Sequence, residues 1–313
     1  MKKNVLRILL TLIGALILVP LGLYLTLRVA DRTNGSLMSS GQERRYLLYV
    51  PETADLSQPI PLILTLHGFA QWPANQADVS QWNALADAHG FLVVYPAGTG
   101  FPKRWDAASP AAENEDIVFL SDLIDALSSE YPIDPNRIYI NGLSNGGGMS
   151  FAFSCAFFER VAAFGSVAGA YVTPWQNCEQ ARPVPAVIFH GDADPIVPFT
   201  GGQSGRNNLV LPDIGTWVRQ LAEHNACSGS TAEIPTAEGV RGERFENCAA
   251  DLDYYIVAGG GHTWPGGNPL PKWITGKTSD QLDASTVMWE FFQAHSLNTR
   301  SEERRVGKEC RSR

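Results

Sequence analysis

Apolar residues fall along this chain in short runs, and between the runs they recur at helical spacing. Residues 45–50, closed by Pro51, read as an early strand. Residues 62–66 and 91–95 are almost wholly apolar, the pattern of strands covered on both faces. Between these two, residues 82–88 have helical composition and stop at His89 and Gly90. Ile117, Leu120, Leu123, Ile124 and Leu127 share one helix face, with Asn114 to Asp116 supplying capping residues ahead of it. Residues 137–140, 186–189 and 254–257 predict further buried strands. Helices are predicted over 149–153, around Trp217 behind the capping Asp213, and around Trp289. Apolar strands alternating with amphipathic helices predict an α/β fold, a mostly parallel sheet with helices on both faces. With no internal repeat and no Pro- or Ser-rich linker, residues 31–299 are expected to form a single domain.

Both ends fall outside that domain. Lys2, Lys3 and Arg7 precede an apolar run from Ile8 to Leu27, the order of an export signal. The run is longer than a cleaved signal core, has no small-residue cleavage pattern before Arg28, and approaches bilayer-spanning length. Residues 1–30 therefore read as a signal anchor or signal peptide, with the body exported and possible membrane contact through an uncleaved segment. Residues 300–313 show no hydrophobic period and resemble a translated sequencing adapter, so an artefactual or disordered tail is expected. Setting aside the basic head (Lys2, Lys3, Arg7, Arg28) and the tail's six basic and three acidic residues takes the formal charge from −8 to −15. So acidic a body argues against nucleic acid as a partner. Cys155, Cys178, Cys227 and Cys248 suggest two disulfides in an exported protein, with three pairings open. Without a C-x-x-C pair or clustered histidines, no metal site is expected. No signal for an oligomeric state is present.

The chemistry concentrates after the predicted strands. Residues 137–140 run into Gly142-Leu143-Ser144-Asn145-Gly146 and then into a predicted helix. A serine on such a strand-to-helix turn is pushed outward, and the flanking glycines leave it room. A serine hydroxyl needs a base, and the base needs an orienting acid. Asp194 lies in His190-Gly191-Asp192-Ala193-Asp194-Pro195, just past the 186–189 strand, with Asp192 as the competing acid. His262 sits in a glycine-rich loop past the 254–257 strand, with His190 as the competing base. Amide donors for a developing oxyanion are expected at Asn145 and at Phe69, with Ala70 as the alternative to Phe69. Trp72, Trp105 and Trp264 are candidate substrate-binding residues, each with core packing as the alternative.

Five stretches together resemble a known family: Leu66-His67-Gly68; residues 82–86 through Tyr95-Pro96; Gly142-Leu143-Ser144-Asn145-Gly146-Gly147; residues 190–198; and residues 259–266. They are similar to the polyhydroxybutyrate depolymerase and feruloyl esterase family of secreted α/β-hydrolases, over roughly residues 44–295. The resemblance implies hydrolysis of carboxylic esters without a cofactor, with Ser144 as nucleophile, Asp194 as acid and His262 as base. Members often carry a smaller residue at the position of Asp192, which keeps that carboxylate open beside Asp194. Polymer-degrading members usually add a linker and a polymer-binding module. Their absence here leads one to expect short-chain, hydroxyalkanoate-oligomer or hydroxycinnamoyl esters as substrates. A serine peptidase or amidase, or a non-catalytic binding protein on the same fold, is the alternative.

Overall fold

The computed structural model describes residues 31–205 and 208–297, with positions 16 and 18. The expected head (1–30) and tail (300–313) therefore lie almost wholly outside the described residues. No helix among them is long and apolar enough to cross a membrane.

From residue 31 onward the described chain runs through β1 (Gly35–Ser39), β2 (Gln42–Tyr49) and β3 (Ile60–Leu66). Helices α1 (Pro73–Ser80) and α2 (Trp82–His89), β4 (Leu92–Pro96) and α3 (Glu115–Glu130) follow. The centre is β5 (Ile133–Leu143), α4 (Asn145–Ala156), β6 (Ala163–Val167) and β7 (Ala186–Gly191). Then come a ribbon of β8 (Gly202–Gln203) with β9 (Val210–Leu211), α5 (Ile214–His224), β10 (Thr231–Ile234), β11 (Val240–Phe245) and β12 (Leu252–Val257). The last two helices among the described residues are α6 (Lys272–Thr275) and α7 (Ala284–Gln293).

Ten strands form one sheet in the order β1-β2-β4-β3-β5-β6-β7-β12-β11-β10. The six from β4 to β12 run parallel, and antiparallel ribbons extend both edges. Alternate residues of β3 show why the core has two layers. Leu62, Leu64 and Leu66 pack on one face with α3, α4 and α5, whereas Ile63 packs on the other with α1, α2 and α7. The predicted caps form: Asn114 accepts from the amides of Asp116 and Ile117, and Asp213 accepts from that of Thr216.

The central strand β6 was not legible as a strand. Its Gly165 and Ser166 break the apolar run, yet all five residues are buried. A Cβ on Gly165 would stand 2.3 Å from the Met288 sulfur, so α7 can lie close only over a glycine. The four body cysteines pair in sequence order, Cys155 with Cys178 and Cys227 with Cys248.

Candidate active site

Parallel strands deliver their following loops to one edge of the sheet, the C-terminal edge. Ser144 follows β5, Asp194 follows β7, His262 follows β12 and Phe69 follows β3. Residues far apart in the chain thus meet at one cleft.

Ser144 has φ 57° and ψ −118°, a backbone conformation that a residue with a side chain rarely adopts. The turn is so tight that a Cβ on Gly142 would lie 2.5 Å from the Gly146 carbonyl carbon. One on Gly146 would lie 2.3 Å from the Leu66 oxygen. Both glycines are therefore required by the close approach of β5, α4 and β3. The Ser144 amide donates to the Val167 carbonyl at 2.8 Å, which ties the turn to β6.

His262 Nδ1 is 2.7 Å from Asp194 Oδ2. The other carboxylate oxygen, Oδ1, accepts from the amides of Ile196 and Val197, both at 2.8 Å. Burial pushes the Asp194 carboxyl up, but the facing His262, its hydrogen bond and His190 outweigh burial and hold it below the ordinary carboxylate value. An ionised Asp194 keeps a proton on His262 Nδ1, leaving Nε2 for a second partner. No hydrogen bond joins Ser144 Oγ to His262 among the described residues; such contacts often tighten only with substrate in place. The His262 loop is itself held, its backbone amide donating to the Thr275 carbonyl at 2.6 Å.

The competing candidates are placed differently, although His190 Nε2 comes within 3.5 Å of Asp194 Oδ2. Asp192 is exposed and accepts from the Gly259 amide, which closes a turn between two loops. His190 is fully buried, 3.0 Å from the Val197 carbonyl through Nε2. Burial, only partly offset by Asp194, lowers its pKa. The Ala70 amide is already spent on the Lys103 carbonyl at 2.9 Å. The amides of Phe69 and Asn145 have no partner among the described residues, and both residues line the cleft.

Two of the three tryptophans, Trp105 and Trp264, are buried in the core, a correction to the sequence expectation. Trp264 is wholly buried and donates from Nε1 to Ser285 Oγ, packed in the layer under α7. Trp105 is also buried, and its Nε1 donates to the His67 carbonyl. Trp72 is half-buried beside Phe101, with ring centroids 6.4 Å apart, outside the cleft lining. Indole bulk near a site signalled core and bracing here.

Trp105 nevertheless matters through its backbone. Its amide donates to Asn145 Oδ1 at 2.7 Å, and its carbonyl accepts from Asn145 Nδ2 at 3.0 Å. The side chain next to Ser144 is thereby locked to the loop at 98–106. His67 locks the same loop from the other side, accepting through Nε2 from the Gly98 amide at 3.0 Å. With Nε2 an acceptor, Nδ1 carries the proton and donates to the Gly68 carbonyl at 2.8 Å. Burial lowers the His67 pKa to about 4. Gln71 Oε1 accepts from the Gly68 amide at 3.0 Å and completes the support under Phe69.

The cavity above these groups has a volume of about 260 Å³. Its far wall is aliphatic, built from Ile196, Val197, Leu209, Leu211, Leu270 and Ile274. Sequence reasoning missed all six, because loops, a two-residue strand and a four-residue helix are too short to show a period.

Residues 44–173 match the family model described as Esterase PHB depolymerase. Feruloyl esterase C of Emericella nidulans is 27% identical over 266 residues, covering 84% of this chain and 87% of that protein. The bifunctional acetylxylan esterase/xylanase XynS20E of Neocallimastix patriciarum is 33% identical over 159 residues. That match covers 51% of this chain and 22% of the larger protein. Among solved structures, the acetyl xylan esterase from Aspergillus awamori superposes with a TM-score of 0.56 at 16% identity, covering 80% of this chain and 94% of that one. The fold is that of the α/β-hydrolases, and the protein is a carboxylic ester hydrolase. Over residues 44–173 it is similar to the esterase PHB depolymerase family, and over most of its length to feruloyl esterase C.

Proposed function

We propose that the protein hydrolyses its esters through an acyl-enzyme on Ser144, with His262 as general base and acid and Asp194 as orienting carboxylate. The observation that carries this reading is the 2.7 Å contact of Asp194 with His262 beneath a cleft that Ser144 also lines. In the reaction, His262 Nε2 takes the hydroxyl proton as Ser144 Oγ bonds to the ester carbonyl carbon. The carbonyl π electrons move to oxygen, where the amides of Phe69 and Asn145 meet the charge. Collapse breaks the bond to the alcohol, which leaves with the proton from His262. Water then gives a proton to His262 and adds to the acyl carbon; Ser144 departs protonated and the acid is released.

The expected substrates are short-chain, hydroxyalkanoate-oligomer or hydroxycinnamoyl esters. A cavity of about 260 Å³ with an aliphatic wall suits an acyl group of modest size. The two disulfides fit maturation in an oxidising compartment, in line with an exported body. Turnover of a p-nitrophenyl short-chain ester by the Ser144→Ala variant tests the reading. Nearly complete loss with the fold intact is expected, and wild-type turnover in that variant would overturn it. A panel of acetyl, feruloyl, hydroxybutyrate-oligomer and peptide substrates then ranks the substrate classes.

A further inference from the structure

Apart from His262, every residue lining the cleft is uncharged except Arg104. The side chain is exposed, so its charge stands at the mouth rather than in the floor. It makes no hydrogen bond or ion pair among the described residues, whereas the neighbouring Lys103 is 3.5 Å from Asp31. The acid within electrostatic reach, Asp106, already has its Oδ1 on the amides of Ala108 and Ser109.

The position of Arg104 is fixed by its backbone. Its amide donates to the Thr99 carbonyl at 2.9 Å, and its carbonyl accepts from the Thr99 amide at 3.0 Å. The next residue is Trp105, clamped in both directions to Asn145 beside Ser144. The backbone that carries the guanidinium is thus held at a set place relative to the nucleophile, with the exposed side chain lying by Gly100 at the cleft mouth, on a body whose overall charge repels anions. Such a group recognises a carboxylate, which its planar fork can hold with two hydrogen bonds.

We propose that Arg104 is a specificity-determining residue that selects esters bearing a free carboxylate remote from the scissile bond. Half-esters of dicarboxylic acids and linear oligoesters with a free carboxyl end share this chemistry. The inference rests on the reading of Ser144 and His262 as the reacting pair.

Two matched substrate pairs test it on the full-length protein. In the first, mono-4-nitrophenyl adipate and its methyl-capped diester place the carboxylate on the acyl side. In the second, 3-butyryloxybutanoate and its methyl ester place it on the alcohol side. The wild type is expected to favour the free carboxylate in at least one pair by about tenfold in kcat/KM. That ratio should fall towards one in Arg104→Met, be partly kept in Arg104→Lys, and shrink as salt screens an exposed charge. No preference in either pair overturns the inference while leaving the Ser144 reading intact. Equal loss on charged and capped esters in both variants also overturns it, since Arg104 would then only brace its loop. Failure of the wild type to turn over any of the four esters takes down the underlying reading and this inference with it.

Discussion

The cleft has two unlike walls. The near wall, residues 67–71 and 98–106, is a mesh of directional bonds: Gly68 to Gln71, Ala70 to Lys103, Gly98 to His67, and Trp105 to both His67 and Asn145. The far wall is Ile196, Val197, Leu209, Leu211, Leu270 and Ile274, carried on loops, a two-strand ribbon and the four-residue α6. Aiming amide dipoles at a developing charge requires geometry good to a fraction of an ångström, which hydrogen bonds supply. Receiving an apolar group requires only shape and dryness, which aliphatic side chains supply without direction. The near wall is built for the reaction and the far wall for what enters.

The largest effect is expected at Asp194, which holds the far side through the amides of Ile196 and Val197. Asp194→Asn keeps an acceptor for the amides of Ile196 and Val197 but no longer holds the proton on His262 Nδ1. kcat should fall on the order of 10⁴-fold. Asp192→Asn should change it less than about twofold, because Asp192 only closes a turn to Gly259. Steady-state kinetics on both variants checks this; a comparable loss in Asp192→Asn would move the acid to the exposed carboxylate.

The next effect separates the walls by pH. His67 is neutral in the folded protein, its pKa lowered to about 4, against about 6.5 in the unfolded chain. Above pH 6.5 both states are neutral and His67 makes stability no function of pH. Between 6.5 and 4 only the unfolded chain takes up the proton, so stability falls as pH falls, by at most about 3 kcal/mol. Buried His190 and half-buried His224, both lowered by desolvation, act in the same direction. Urea denaturation across pH 7 to 4 reads the slope. Nitrogen NMR should find His67 still as the neutral Nδ1–H tautomer at pH 5, and a protonated ring there would refute the mesh as drawn.

A smaller effect tests whether the mesh serves catalysis. Asn145→Ala keeps the backbone amide but removes both bonds to Trp105. A loss of roughly tenfold to a hundredfold in kcat, with KM changed less than about threefold, is expected. If KM rises and kcat holds, Asn145 contacts the substrate and does not position the amide.

The two walls also differ in how far the sequence disclosed them. Gly142, Ser144 and Gly146 were legible because a strained turn tolerates few residue types. Asp194 and His262 were legible because strand ends in a parallel sheet collect side chains at one edge. Composition and period do not separate Asp194 from Asp192; the resemblance favours Asp194, and in the fold it is Asp194 that lies against His262. Trp105 and Trp264 misled because an indole is equally at home in a core. Strand β6 was hidden by the glycine that lets α7 approach. The far wall had no motif to find, since any aliphatic residue of suitable size meets its requirement.

That permissiveness yields the smallest and most selective prediction. Ile274 is half-buried on α6 and lines the cavity, so truncation widens the far wall without opening the core. Ile274→Ala should shift the preferred acyl length of p-nitrophenyl esters upward by one or two carbons. Each added methylene accommodated there contributes about 0.8 kcal/mol, or roughly fourfold in kcat/KM. The loss on the shortest ester should be small, because an acetyl group makes few contacts with that wall. Thermal stability should drop by less than about 1 kcal/mol at a half-exposed site. A chain-length profile measured from acetate to octanoate checks the shift. An unchanged optimum would mean that the acyl chain lies along the near wall, and the division of labour between the walls would have to be redrawn.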